Sequence, residues 1–233
     1  MSKTYLGICK IDRRGAGYGG VMSVNGFNWI IKLLREAKTI EEIDEYRVEI
    51  LTLIPKVSIM IGFDQMNPAH QYDLWKHSLQ TVVNLPKDID DDMVYLAALL
   101  HDIGKPDCQE VGERDGKPVM HYYGHPRRSM EIVRDEIIPG LIERGVILTD
   151  DEQRRLIYYV EYHDDRMSLR MKHLRSHLKM GVNLKEFQNL MKLQVADAKA
   201  HVIIPVIRER IDICEKLSGV YAEKIYRNIL DGK

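Results

Sequence analysis

The run from Met93 to Leu100, followed directly by His101 and Asp102, constrains this chain more than any other. It reads MVYLAALLHD. A helix that is apolar on every side offers no face to water, so it belongs at the centre of a helical assembly. It then carries an imidazole and a carboxylate into the interior at its end. Such groups are costly to bury unless they pair with one another or bind a metal ion. A His–Asp pair closing a helix and a metal site both meet that requirement. The dyad alone does not choose between them.

The remaining sequence is patterned almost throughout for α-helix. From Phe27, FNWIIKLLREAK has helical periodicity, and Thr39 with Glu42 forms a capping box for a second helix running towards Leu53, interrupted at Pro55. Further helices are expected near 72–85, 91–103, 126–138, 150–163, 169–178, 184–200 and 205–217. Thr149 with Glu152 is a second capping box, Asn183 is an N-cap, and Gly104 and Pro106 stop the helix over 91–103. Asp115-Gly116 lies between extended runs and marks a small hairpin or loop, the single non-helical element expected. The glycines of RRGAGYGG, within residues 1–24, have no β-run before them and no Gly-Lys-Ser/Thr after them, so they indicate a turn-rich entry segment. The expected fold is therefore all-α, a helical bundle over 62–233 with a short two-helix N-terminal extension over 1–61.

At 233 residues, 45% of them hydrophobic, the chain can bury its own core, so a metal would serve chemistry rather than stability. Cys9, Cys108 and Cys214 are widely separated, which suits a reducing compartment and disfavours a thiolate site. No signal-peptide core or membrane span is evident, and a cytoplasmic location is expected. With 34 Lys+Arg against 35 Asp+Glu the net charge is -1, so no global positive field holds a polyanion or a membrane.

Several histidines and aspartates stand where periodicity gives them meaning. In YDLWKHSLQTVV, His77 projects nearly opposite Trp75, so it faces either solvent or a polar cavity. Asp197 falls on the apolar face of its helix and needs a cation or several donors. His163 sits among Glu161, Asp164 and Asp165 at a helix end where negative charge is unfavourable. His125 opens a helix before Pro126. Four imidazoles and two carboxylates on separate helices are a donor set suited to Mn, Fe, Co, Ni or Zn, in a one- or two-metal site.

The wording FDQMNPAHQYDLWKHSLQTV, LAALLHDIGKP, HYYGHPRRS, YHDD and ADAKAH resembles the HD-domain superfamily of metal-dependent phosphohydrolases, over roughly residues 62–201. It is closest to the HD domain attached to bacterial tRNA nucleotidyltransferases (CCA-adding enzymes) and to its stand-alone relatives. The resemblance implies a first metal on His77, His101, Asp102 and Asp197. It implies a second on His125 and His163 with Asp102 bridging, and a phosphate contact from Lys105. Pro126-Arg127-Arg128 departs from the acidic residue common at that place, and no nucleotidyltransferase head is present.

The implied activity is hydrolysis of a phosphomonoester or phosphodiester, a nucleotide or a 2′,3′-cyclic phosphate, by metal-activated hydroxide. Lys105, Arg127 and Arg128 are candidates to bind substrate, and Asp164 to orient His163 or move a proton. A small phosphorylated substrate or an RNA end is the expected partner. The same donor set also suits a di-iron oxygenase, and a non-catalytic HD regulatory module is the third reading.

Overall fold

Helical periodicity is realised along nearly the whole chain in the computed structural model, which describes residues 23–114 and 116–232. The glycine run RRGAGYGG and Asp115 lie outside those residues. In chain order the helices are α1 (Ser23–Glu36), α2 (Ile40–Asp44), α3 (Arg47–Leu53), α4 (Leu74–Asn84), α5 (Asp92–Leu100), α6 (His125–Ile132), α7 (Ile138–Glu143), α8 (Asp150–Tyr162), α9 (Met171–Lys179), α10 (Leu184–Lys199), α11 (Pro205–Leu217) and α12 (Val220–Leu230). Short 3₁₀ turns occupy Pro55–Met60 and Lys105–Cys108. The expected hairpin is present as antiparallel β1 (Glu110–Arg114) and β2 (Lys117–His121), with Gly116 in the left-handed region at φ 73°.

Local chemistry sets the helix starts. Asp73 accepts from the Lys76 amide and Asp91 from the Met93 amide. Thr149–Glu152 and Asn183–Glu186 form complete capping boxes, each satisfying two amides that the helix leaves free. Thr39 makes only half of one, because Glu42 reaches the Lys38 amide instead of that of Thr39.

Three elements differ from expectation. The helix expected towards Leu53 is two helices, α2 and α3, broken where Asp44 turns inward to accept from the Trp75 indole at 2.6 Å. The helix expected to end at 138 continues to Glu143, since a π-turn over Val133–Ile137 absorbs Pro139, which has no amide hydrogen to donate. Helix α12, beyond the stop at Ser218-Gly219, was not expected.

Every residue of α5 from Met93 to Leu100 is buried, as its uniform apolarity demands. It packs against α1, α4, α8 and α10. The surrounding core runs from Phe27 in α1 to Ile225 in α12, and Leu34, Ile43 and Ile50 of the N-terminal helices are fully enclosed in it. Each such side chain contributes about 1.5–3 kcal/mol by leaving water. The consequence for function is positional: the end of α5 is fixed in the middle of the molecule, beside α4, α8 and α10.

Candidate metal centre

His101 caps α5 and His163 caps α8, and both use the same device. The Nδ1 of His101 donates to the Ala98 carbonyl at 2.9 Å, and that of His163 to the Val160 carbonyl at 2.7 Å. At the start of α6, His125 Nδ1 donates to the Tyr122 carbonyl at 2.8 Å. A carbonyl only accepts, so each Nδ1 carries the proton. The contact fixes each ring and aims Nε2 away from the helix, as a lone-pair donor whenever a cation displaces its proton. That is the tautomer a metal ion requires.

All these Nε2 atoms converge on Asp102. Its Oδ2 lies 3.4 Å from His77 Nε2 and 3.2 Å from His101 Nε2. Asp197 Oδ1 lies 3.1 Å from the former and 3.6 Å from the latter. On the other side, Asp102 Oδ1 is 3.0 Å from His125 Nε2 and 3.3 Å from His163 Nε2, while the two imidazoles are themselves 3.3 Å apart. The carboxylate thus has one oxygen in each of two donor sets.

The donor set fits divalent metal ions. Bonds of about 2.1 Å place neighbouring donors roughly 3.0–3.4 Å apart in octahedral or tetrahedral arrangements, and the pairs above match this apart from His101 and Asp197 at 3.6 Å. The Nε2 of His101 is buried without a hydrogen-bond partner among the described residues, because its approach to Asp102 is close but misaligned. Such an orphaned nitrogen is costly in a dry interior and is satisfied by a cation. Among the described residues three groups have spacing able to hold an ion: His77, His101 and Asp197; His101, Asp102 and His163; and His70, His77 and His201.

The charges are strongly coupled. Burial alone would raise the Asp102 carboxyl, but His101 and Lys105 outweigh it and hold it well below its usual range. Asp197 is likewise held well below, burial being overcome by His201, His101, His77 and Arg210. Burial resists protonation of His101, yet the adjacent Asp102 raises it to about 10. His163 moves the other way, lowered chiefly by burial.

A cavity of about 300 Å³ opens onto this cluster, lined in part by Asp102, Lys105, His125, His163, Asp164 and Asp197. His77 proves fully buried, facing the polar centre rather than solvent. Lys105 is also buried; its ammonium pairs with Asp102 Oδ2 at 2.6 Å and donates to Gln65 at 2.8 Å. Asp164 does not orient His163, whose ring is held by Val160. It accepts from Arg210 at 2.8 Å. Arg127 and Arg128 do not line the cavity. Helix α6 turns them outward, where Arg127 meets Glu131 and Arg128 meets Asp107 and Glu131.

Residues not singled out from the sequence complete the walls. His201, one turn beyond Asp197, donates from Nδ1 to the Asp197 carbonyl, and its ring lies 4.5 Å from that of His70. Burial lowers His201 to about 4 and His70 to about 2, so both are neutral. Arg210 of α11 donates to the His163 carbonyl at 2.8 Å and lies 3.5 Å from Asp197 Oδ2, tying the end of α8 to α10. His201 shared a helical face with Asp197 in the sequence. Arg210 had no such signal, since an arginine on an amphipathic helix is by default solvated.

The model of the HD domain family matches residues 70–217. The bifunctional uridylyltransferase/uridylyl-removing enzyme of Ruegeria pomeroyi is similar at 25% identity over 124 residues, a match covering 44% of this chain and 13% of that enzyme. No helix among the described residues is long and apolar enough to cross a membrane.

Proposed function

The chain belongs to the HD-domain family, and from that premise we propose that it is a metal-dependent phosphohydrolase acting on a phosphomonoester or phosphodiester of a nucleotide, or on a 2′,3′-cyclic phosphate. One observation carries the reading: the two oxygens of Asp102 lie between two sets of inward-facing donors, His77, His101 and Asp197 on one side and His125 and His163 on the other. Lys105 and Arg210 set positive charge beside the cavity's carboxylates, which supports an anionic substrate once metal ions offset Asp102 and Asp197. Similarity to a uridylyl-removing enzyme supports a nucleotide-containing ester. The motif wording supports kinship with HD domains that accompany nucleotidyltransferases.

When bound, one or two ions among Mn, Fe, Co, Ni and Zn would supply a water of lowered pKa and polarise a phosphoryl oxygen. The protein's own groups do the rest. His77, His101, Asp102 and Asp197 would hold the first ion, and His125, His163 and Asp102 the second. Lys105, held between Gln65 and Asp102, would stabilise charge developing on the transferred phosphoryl group. Arg210 braces the two helix ends that carry His163 and Asp197. Asp164, at the cavity wall and paired with Arg210, would serve to shuttle a proton towards the leaving oxygen.

The test pairs metal analysis after aerobic and anaerobic purification with hydrolysis of a chromogenic phosphodiester, of AMP and of 2′,3′-cyclic AMP. Hydrolysis that follows metal loading and disappears in Asp102→Ala is expected. Two bound irons without phosphoesterase activity under any metal would overturn the proposal in favour of an oxygenase. Absence of both metal and turnover would make the domain a non-catalytic module.

A further inference from the structure

The β-hairpin raises an aromatic surface at the cavity mouth that the hydrolytic chemistry does not use. Strand β2 ends at His121, and the chain then passes through Tyr122, Tyr123 and Gly124 to the candidate ligand His125. The rings of His121 and Tyr123 are stacked, their centroids 5.2 Å apart and their planes at 13°. Beneath the stack lies Gly112 of β1. A Cβ there would stand 2.5 Å from His121 Cδ2 and 2.6 Å from Nε2. A glycine inside a strand weakens it and marks a place where something must approach closely. Here the room is taken by the His121 imidazole, which is stacked in turn on Tyr123.

Tyr123 is 67% exposed, although its ring is a large apolar surface that would ordinarily be covered. One face leans on His121, so the exposure belongs to the other face and the edge. Both rings line the same cavity as Asp102, Lys105 and His125. Only Gly124 separates Tyr123 from His125, so the aromatic residue and the candidate ligand enter one cavity from neighbouring points of the chain. An exposed aromatic face in the same cavity as the donor cluster suits a planar base stacked on Tyr123 while its phosphate meets the cluster. Every nucleobase has such a face, so the recognition is tolerant of base identity.

We propose that Tyr123, supported by His121 over Gly112, is the base-stacking subsite of this centre and makes the substrate a nucleotide rather than a base-free phosphate. This rests on the phosphohydrolase reading above. The test measures binding and turnover separately on the metal-loaded protein, using AMP and ribose 5-phosphate as probes with wild type, Tyr123→Phe and Tyr123→Ala. Calorimetry is expected to show AMP binding roughly tenfold more tightly than ribose 5-phosphate. Tyr123→Ala should bring AMP to the level of ribose 5-phosphate and leave the latter unchanged, while Tyr123→Phe keeps the difference. Equal affinities in wild type, binding of neither compound, or an equal loss for both in Tyr123→Ala would overturn the subsite. Base-dependent binding of AMP without hydrolysis of any ester would leave the subsite standing and reject the hydrolase reading.

Discussion

The two oxygens of Asp102 face different neighbours, which under the proposed function makes it the ligand shared by both ions. Asp102→Ala is therefore expected to lose all bound metal and all turnover. His125→Ala with His163→Ala should lose one ion of two and at least about a hundredfold in kcat/KM, since only the second donor set is removed. Metal analysis with single-turnover kinetics separates the two, and equal losses would contradict the split. On the proposed mechanism Lys105 meets substrate charge rather than metal, so Lys105→Met should retain its ions and lose about a hundredfold in kcat/KM. Full activity in that variant would make Lys105 only a counter-charge for Asp102. The His-Asp dyad was legible from sequence because it ends an apolar helix. The bracing role of Arg210 was not, because its partners come from α8 and α10, far away in the chain.

Two consequences belong to the way helices are fitted together. Gly104 has an ordinary φ of -82°, yet a Cβ on it would lie 2.5 Å from the Ser129 amide nitrogen and 2.9 Å from the His125 carbonyl oxygen. Helix α6 thus rests on bare backbone, fastened by the Gly104 amide donating to Ser129 Oγ at 2.9 Å. Gly104→Ala is expected to push α6 and His125 away from Asp102, weakening the second ion more than the first. Unchanged metal stoichiometry and affinity would refute this. In α9, His177 is buried among Tyr158, Tyr162 and Phe187, and burial lowers it to about 4 from 6.5. The unfolded chain takes up this proton first, so the stability it permits is present above about pH 6.5 and is lost as pH falls towards 4. The loss amounts to about 3 kcal/mol at most. Urea unfolding of His177→Phe should show a correspondingly smaller drop from pH 7 to pH 4.5; an identical drop would exclude His177 as the source. Capping residues and Gly-Pro stops made most helix starts legible. The π-turn before Pro139 was hidden because a proline in sequence looks like an end, while α7 packing carries the helix through it.

Across the molecule, α1 to α3 share one continuous core with the helices that hold the centre. Leu34 is fully buried against it. Leu34→Ala is accordingly expected to cost about 3 kcal/mol, with fluorescence and circular dichroism shifting in a single transition. Two separated transitions would show the N-terminal helices to be an independent unit. The all-α architecture followed from periodicity alone. The cavity wall formed by His70, His201 and Arg210 depended on contacts between segments far apart in sequence.

The most direct test of the centre is anomalous diffraction from crystals grown with Mn²⁺. The expected map has two peaks, one beside His77, His101 and Asp197 and one beside His125 and His163, each also in contact with Asp102. A map with no ion in this cluster, or with ions that leave Asp102 unliganded, would contradict the assignment.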